Sequence, residues 1–174
     1  MPTFLAHLRA EIEISESGLL HLEACRSDLI SAGKACAGDL RLTLYGLRLI
    51  FLQSYLVKVT TLLLPALKAS HVFQSVTSNH ETMMRKFAKL LMEVDSANME
   101  LNAEALTWHM SELLHSVRSL IDYEKNVVFP LAKETLDDAE QERLYSLAIE
   151  MDKAHAFERI QGKQILLNPV LARA

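Results

Sequence analysis

The sequence predicts an all-α protein, an up-down-up-down four-helix bundle with an additional C-terminal helix. Hydrophobic residues make up 50% of the 174 positions, and only five Gly and four Pro interrupt them, which favours few, long helices. From Leu106 onward, apolar residues recur at alternating spacings of three and four, as in a helix packed against other helices. The length suits one domain over residues 1–174, with the bundle over about 3–134 and the last helix over about 138–167.

Charge and cysteine content narrow the classes of function. The net charge of −4 provides no basic surface for nucleic acid, so we expect no nucleic-acid partner. Two cysteines do not make a disulfide framework, which favours a reducing cytoplasm. The N-terminus lacks a basic stretch followed by an apolar run, so we expect no signal peptide. Charged residues interrupt the most apolar segment, residues 40–67, so we expect no membrane association.

The first half of the chain predicts two helices. The first covers about residues 3–32, and Gly33 and Gly38 mark the connection that follows. Asp39 is a favoured N-cap for a second helix over about 40–68. Its stripe is polar in the first half and apolar in the second, so the direction of its arginines stays open. Because this helix is apolar over most of its circumference, the C-terminal helix or a second copy must cover it, and we predict a homodimer.

The second half predicts three more helices. A Ser or Thr among residues 75–78 is expected to cap the third helix, which ends at about Ser96. His80 is the one ionisable residue on its otherwise apolar stripe. The fourth helix covers about 103–132, and Pro130 lies near its end, where proline is tolerated. Asp137 or Asp138 then caps the fifth helix, whose first turn is acidic, as the helix dipole favours.

An internal repeat relates the second and fourth helices. Residues 55–70 and 120–135 align at an offset of 65, and each contains an apolar triplet, a proline and a lysine three residues later. Each repeat lies in the second helix of a helical hairpin. Two such hairpins with short connections predict the up-down-up-down topology.

The fourth helix carries a carboxylate inside its apolar stripe. Seven of the eight stripe residues are apolar, and the eighth is Glu124. A buried carboxylate is costly unless it is paired, protonated or bound to a metal. The stripe residues are Leu106, Met110, Leu113, Val117, Leu120, Glu124, Val127 and Leu131. Glu124 is therefore the main candidate for a functional residue.

Two histidines are expected near the level of Glu124. At ~1.5 Å of rise per residue, His80 on the third helix lies level with Tyr55 and Leu120, and His21 on the first lies within about a turn of that level. Glu124 comes one turn further on. Two imidazoles and a carboxylate suit iron, zinc or manganese. Other readings remain open, because His80 can be a hydrogen-bonded core histidine and Glu124 can pair with His80, Arg41 or Arg48.

The segment 124–132, EKNVVFPLA, resembles the fourth helix of hemerythrin-like (HHE cation-binding) proteins. In that family a His, three residues and a Glu precede an apolar-Phe-Pro turn. His80 and His21 stand where the family has its third-helix and first-helix histidines. The resemblance implies a four-helix bundle with a di-iron centre that supports oxygen binding, iron sensing or related redox roles.

Three of the six ligand positions implied by the resemblance carry other residues. Leu120 and Tyr55 replace histidines, and Val59 replaces a glutamate. Leucine and valine cannot bind a metal, so we predict a partial or vestigial site. Its predicted ligands are His21, His80 and Glu124, and its predicted lining residues are Tyr55, Val59 and Leu120.

These residues predict a binding protein with a sensor role rather than an enzyme. The expected cofactor is iron or another divalent metal at a reduced site, or none. A di-iron oxidase is the least favoured function because the ligand count is too low. The alternative is a non-metal regulatory or structural helical module that acts through association with itself or with a protein partner.

Overall fold

The computed structural model describes residues 3–33, 37–100 and 102–167. The all-α prediction is confirmed, with 94% helix and no strand among these residues. Helix α3 packs along α4, and α1 contacts α2, α4, α5 and α6. The six helices of the described ranges are α1 (Phe4–Ala32), α2 (37–66), α3 (Phe73–Met99), α4 (103–135), α5 (Asp138–Ala154) and α6 (Ala156–Leu167).

Local sequence explains the two ends of α1. The hydroxyl of Thr3 accepts a hydrogen bond from the Ala6 amide at 3.2 Å, as an N-cap should. Gly33 ends the helix with a φ of 65°, a left-handed conformation that favours glycine. The predicted N-cap of the second helix is wrong, because α2 begins at Ala37 and Asp39 lies inside its first turn.

Of three further predictions about helix ends, one is confirmed and two are wrong. The predicted cap at residues 75–78 is wrong, because α3 already begins at Phe73. Asp137 is confirmed as an N-cap, and its side chain accepts from the Glu140 amide at 2.8 Å. The predicted single helix over 138–167 is interrupted at His155. This interruption turns α6 onto α1 and α2, where it becomes closely packed.

Helices α2 and α4 contain π-helical segments at Arg48–Leu56, Val59–Leu63 and Glu124–Val128. The last two are separated by 65 residues, the offset of the sequence repeat. The Val59–Leu63 segment ends two residues before Pro65, and the Glu124–Val128 segment ends two residues before Pro130. In an α-helix, proline loses a hydrogen bond and clashes with the carbonyl four residues earlier. Because π turns bond five residues apart, they move that carbonyl out of register and let both helices continue.

The π segment of α4 changes which residues face the core. The predicted stripe is correct as far as Glu124 but wrong at Val127, because Val127 is 40% exposed whereas Val128 is fully buried. Leu131, its last member, is partly buried against the core. A π turn holds more residues than an α turn. The inward position therefore falls four residues after Glu124 instead of three.

In α2, too, the π-helical segments change the spacing of the buried residues: one line of core-facing side chains recurs at every fourth residue. An ordinary helix with 3.6 residues per turn would rotate such a line steadily away from the core. Arg41 and Tyr45 of the predicted stripe are exposed, and Arg48 is half-buried, so the arginines point outward. The buried residues of this line are Leu47, Phe51, Tyr55, Val59 and Leu63.

Close packing at glycines lets α6 cover α1 and α2. A Cβ atom on Gly18 or Gly46 would lie 2.8 Å or 2.7 Å from the Leu166 side chain, and one on Gly162 would lie 2.9 Å from Ile50. Only residues without a Cβ permit this approach. The C-terminal helix is thus one cover of the apolar α2 surface, which weakens the reason given for a homodimer.

Helix α2 is also the one helix in the described ranges with the length and composition to cross a membrane. More than half of its most apolar stretch, 56%, is buried inside the protein. Core helices of soluble proteins pass the same test, so this feature is weak evidence about membranes.

Candidate functional site

Three polar side chains from three helices meet in the core and form what we call the core triad: Tyr55 of α2, His80 of α3 and Glu124 of α4. The His80 Nε2 atom lies 2.6 Å from Glu124 Oε1. The Tyr55 hydroxyl donates a hydrogen bond to Glu124 Oε2. All three residues are fully buried. Pairing with His80, one of the partners left open by the sequence, is therefore the observed arrangement.

Two members of the core triad lie in π-helical segments. Tyr55 belongs to the Arg48–Leu56 segment, and Glu124 opens the segment in α4. Such segments occur frequently at functional sites, where they re-aim side chains relative to a regular helix. His80 lies instead in the regular helix α3. The backbone irregularities of α2 and α4 thus coincide with the place where these side chains meet.

Burial dominates the electrostatics of the core triad. It raises the pKa of Glu124, although the hydrogen bond and charge of His80 and the Tyr55 hydroxyl act in the opposite direction. Burial also raises the pKa of Tyr55 well above its usual range, with the Glu124 charge adding to the effect. Tyr55 therefore remains a neutral phenol at neutral pH and donates a hydrogen bond to Glu124.

The donor atoms of the core triad suit one metal ion better than two. An imidazole nitrogen, a carboxylate and a phenol oxygen are acceptable ligands for iron or zinc. The predicted lining residues Val59 and Leu120 are fully buried and add no donor. His80 Nδ1 has no hydrogen-bond partner in the described part of the chain. A metal-binding histidine normally donates from its second nitrogen, so the outer hydrogen bonding of such a site would be incomplete.

His21 has a different environment from the core triad. It is half-buried on α1, whereas its neighbours Leu19 and Leu22 turn into the core. Burial lowers the pKa of its imidazole. His21 belongs to no group of three potential ligands found within 4.8 Å of one another among the described residues. Its predicted role as a ligand stays a prediction.

A second polar group, which the sequence did not predict, joins α1, α2, α5 and α6. We call it the charged cluster. Glu11, Ser54, Lys58 and Arg159 are buried, whereas His7 and Asp152 are partly buried. Lys58 Nζ lies 2.7 Å from Glu11 Oε1 and 2.5 Å from Asp152 Oδ1. Arg159 Nη1 lies 2.5 Å from Glu11 Oε1 and also contacts Asp152. The cluster consists of His7, Glu11, Ser54, Lys58, Asp152 and Arg159.

Three members of the charged cluster have the composition of a metal site. His7, Glu11 and Asp152 each place a potential ligand atom within 4.8 Å of the others. However, the Lys58 ammonium contacts both carboxylates and lies 3.4 Å from His7 Nε2. An internal cation already sits among the three ligands, so a metal would have to displace it. The arrangement is best described as a charge-balanced ion-pair network.

The electrostatics of Asp152 fit an ion-pair network. Burial acts to raise the pKa of Asp152, but hydrogen bonds from His7 and Lys58 and the charges of Lys58 and Arg159 lower it overall. One sequence signal could have revealed the cluster: Lys58 lies inside the most apolar segment of the chain. A cation in such a position requires buried partners.

Fold and site together define an all-helical protein with a buried ionisable centre at three helices and an ion-pair network at four. No protein-family model, no curated protein and no solved structure matches this chain. The comparisons therefore do not bear on the hemerythrin-like resemblance.

Proposed function

We propose that the protein is a hemerythrin-like four-helix-bundle binding protein whose reduced centre holds one metal ion and serves in sensing rather than catalysis. The observation that carries the proposal is the core triad. Its three side chains come from separate helices and are fully buried, and both Tyr55 and His80 are hydrogen-bonded to the Glu124 carboxylate. Burying such groups costs stability that an apolar core would not lose. This cost suggests a function beyond packing.

The donor set supports iron as the ion. His80 would provide a nitrogen, Glu124 a carboxylate oxygen and Tyr55 an oxygen that becomes a phenolate on binding. Bound iron would supply Lewis-acid or redox chemistry. The chain's own residues would hold it, fix its orientation and exclude water, since all three are fully buried. With Leu120 and Val59 in place of ligands, a second ion lacks donors.

Full burial favours sensing over catalysis. No atom of the core triad residues reaches the surface, so a substrate has no open route to them in this conformation. A single ion can enter through local opening of the helices. Binding would then tie α2, α3 and α4 together at one point, and a change in their packing is a signal that a partner can detect.

A second candidate function is a regulatory or structural helical module without a metal. It is favoured by one observation: both oxygens of Glu124 are already hydrogen-bonded within the protein. A buried carboxylate that is satisfied in this way is stable without an ion, and its network can specify a unique packing. Such a module would act through association with a second copy or with another protein.

Ferric titration of protein purified without a histidine tag separates the two functions. The proposal predicts saturation at one ion per chain and a visible phenolate-to-iron charge-transfer band. Tyr55→Phe should abolish the band. Tyr45→Phe is the matched control, because Tyr45 lies on the same helix but is 41% exposed, and it should leave the band unchanged.

Two results would overturn the metal function. One is the absence of stoichiometric binding in the unmodified protein. The other is binding that Tyr55→Phe and Glu124→Leu both leave intact, which would place the ion elsewhere. Either outcome would favour the metal-free module.

A further inference from the structure

We propose that a cleft between α2, α5 and α6, separate from the core triad, binds a small monocarboxylate with an apolar body. The cleft has a volume of about 360 Å³, within the usual range of small-molecule pockets, about 300–1,000 Å³. Its inner wall is formed by Ser54, Lys58, Asp152 and Arg159 of the charged cluster. The opening thus leads directly to buried, fixed charges.

Arg159 supplies the recognition element. Its contacts with Ser54, Glu11 and Asp152 within the described residues all use Nη1. The edge formed by Nε and Nη2 therefore keeps its donors while the side chain lines the cleft. Such an edge matches the two oxygens of a carboxylate with two parallel hydrogen bonds. Because Nη1 is held by three partners, the guanidinium is already oriented for binding.

The paired charges at the inner wall of the cleft disfavour a ligand with more than one negative charge. Lys58 and Arg159 offset Glu11 and Asp152, so these four paired side chains carry no net charge. A dianion such as a phosphate monoester would leave excess negative charge near buried carboxylates. A monocarboxylate fits this limit.

The remaining walls favour an apolar body. Leu49, Val57 and Met151 line the cleft beside the charged end. A short aliphatic or aromatic group placed there would remove apolar surface from water at roughly 25 cal/mol per Å². Glu158 also lines the cleft, but it is exposed, so water screens its repulsion of a bound carboxylate.

Calorimetric titration with hexanoate tests the proposal, with hexanol and hexylphosphonate as head-group controls. We expect saturable binding of hexanoate and at least tenfold weaker binding of both controls. Val57→Phe should fill the cleft and abolish binding without touching the charged cluster. Val127→Phe is its matched control on α4, since the two valines are similarly exposed at 37% and 40%, and it should bind like the unmodified protein.

Arg159→Lys tests the recognition element itself. It keeps the charge but loses the planar edge, so hexanoate affinity should fall at least tenfold. The proposal is wrong if hexanoate does not bind, if hexanol binds equally well, or if Val57→Phe binds normally. Tighter binding of hexylphosphonate would also overturn it. Should Arg159→Lys fail to fold, the head-group series and Val57→Phe still decide the matter.

Discussion

At the scale of single residues, Glu124 is hydrogen-bonded to two buried side chains, and these two contacts determine what a substitution in the core triad costs. His80 lies on one carboxylate oxygen and Tyr55 on the other. Removing His80 leaves the carboxylate with one hydrogen bond in an apolar environment. Removing Glu124 leaves an imidazole and a phenol unpaired, but takes away the charge that is costly to bury.

The first prediction concerns the coupling of these residues. His80→Leu should lower the free energy of unfolding by about 3–5 kcal/mol, because it strands a buried charge. Glu124→Leu should cost less, and the double variant should cost less than the sum of the two by at least about 1 kcal/mol. Urea unfolding of the three variants measures this coupling.

A surface residue on α3 provides the control for that cycle. Lys89 is exposed and lies more than two helical turns beyond His80. Lys89→Leu and Glu124→Leu should therefore have additive effects. If the changes in unfolding free energy of His80→Leu and Glu124→Leu are also additive, the two residues are not energetically coupled and do not form one site.

The second prediction follows from the raised pKa of Glu124. A raised folded pKa means that the native state holds the proton more tightly than the unfolded chain, whose carboxyl has a pKa near 4.5. This contribution to stability is fully present below that value and is lost as pH rises through the folded pKa. Above pH 4.5, the free energy of unfolding should therefore decrease less steeply with pH in Glu124→Gln than in the unmodified protein.

Urea unfolding at a series of pH values tests this expectation. Glu134→Gln serves as the control, because Glu134 is an exposed carboxylate on the same helix, and it should keep the pH profile of the unmodified protein. An unchanged profile in Glu124→Gln would show that burial does not hold the Glu124 proton.

Sequence reasoning identified the core triad only in part. Glu124 and His80 stood out because each interrupts an apolar stripe, and the structure brings them together. Tyr55 was expected to line the site, but tyrosine is common in cores, so its hydrogen bond was not foreseeable. The charged cluster was missed because its members come from four helices and all of them except Lys58 resemble surface residues in isolation.

At the scale of helices, π segments and glycines decide how the elements meet. Sequence periodicity predicted α3 and the first part of α4 well, because both are regular there. It failed after Glu124 and in α2, since a π turn shifts the buried register by one residue. Glycine inside a helix usually weakens it, yet Gly18 of α1 and Gly46 of α2 face Leu166 of α6 and allow it to pack closely.

The third prediction concerns this helix contact. Alanine usually favours a helix over glycine by about 1 kcal/mol. Gly46→Ala should nevertheless lower the unfolding free energy by about 1–3 kcal/mol, because its Cβ would overpack Leu166. Adding Leu166→Ala should recover part of the loss in Gly46→Ala, although the same change destabilises the unmodified protein.

Thermal or urea unfolding of the single and double variants measures the effect. Gly33→Ala offers a contrast, since a Cβ there meets no atom within 4 Å and only the left-handed backbone opposes it. Its cost should not depend on Leu166. A stabilising effect of Gly46→Ala would contradict the close packing of α6.

At the scale of the whole molecule, the proposed homodimer needs a surface other than the covered face of α2. Phe157 and Ile160 lie three residues apart on α6 and are 76% and 58% exposed, so they form one outward apolar pair. If this pair forms the interface, light scattering at micromolar concentration should give about twice the chain mass of 19.6 kDa.

Phe157→Ser should then return the protein to a monomer. Leu20→Ser is the matched control, because Leu20 is also well exposed but lies on α1, and it should leave the dimer intact. A monomeric mass for the unmodified protein would remove the homodimer proposal.

The metal content of the core triad is the most direct test of the proposed function. Tag-free protein is loaded with iron, passed through a desalting column and assayed for iron per chain. We expect about one iron per chain in the unmodified protein and in Glu11→Gln, and none in Glu124→Leu, because only the latter loses a ligand of the core triad. Equal iron in all three proteins, or iron lost only in Glu11→Gln, would contradict the assignment of the metal to Tyr55, His80 and Glu124.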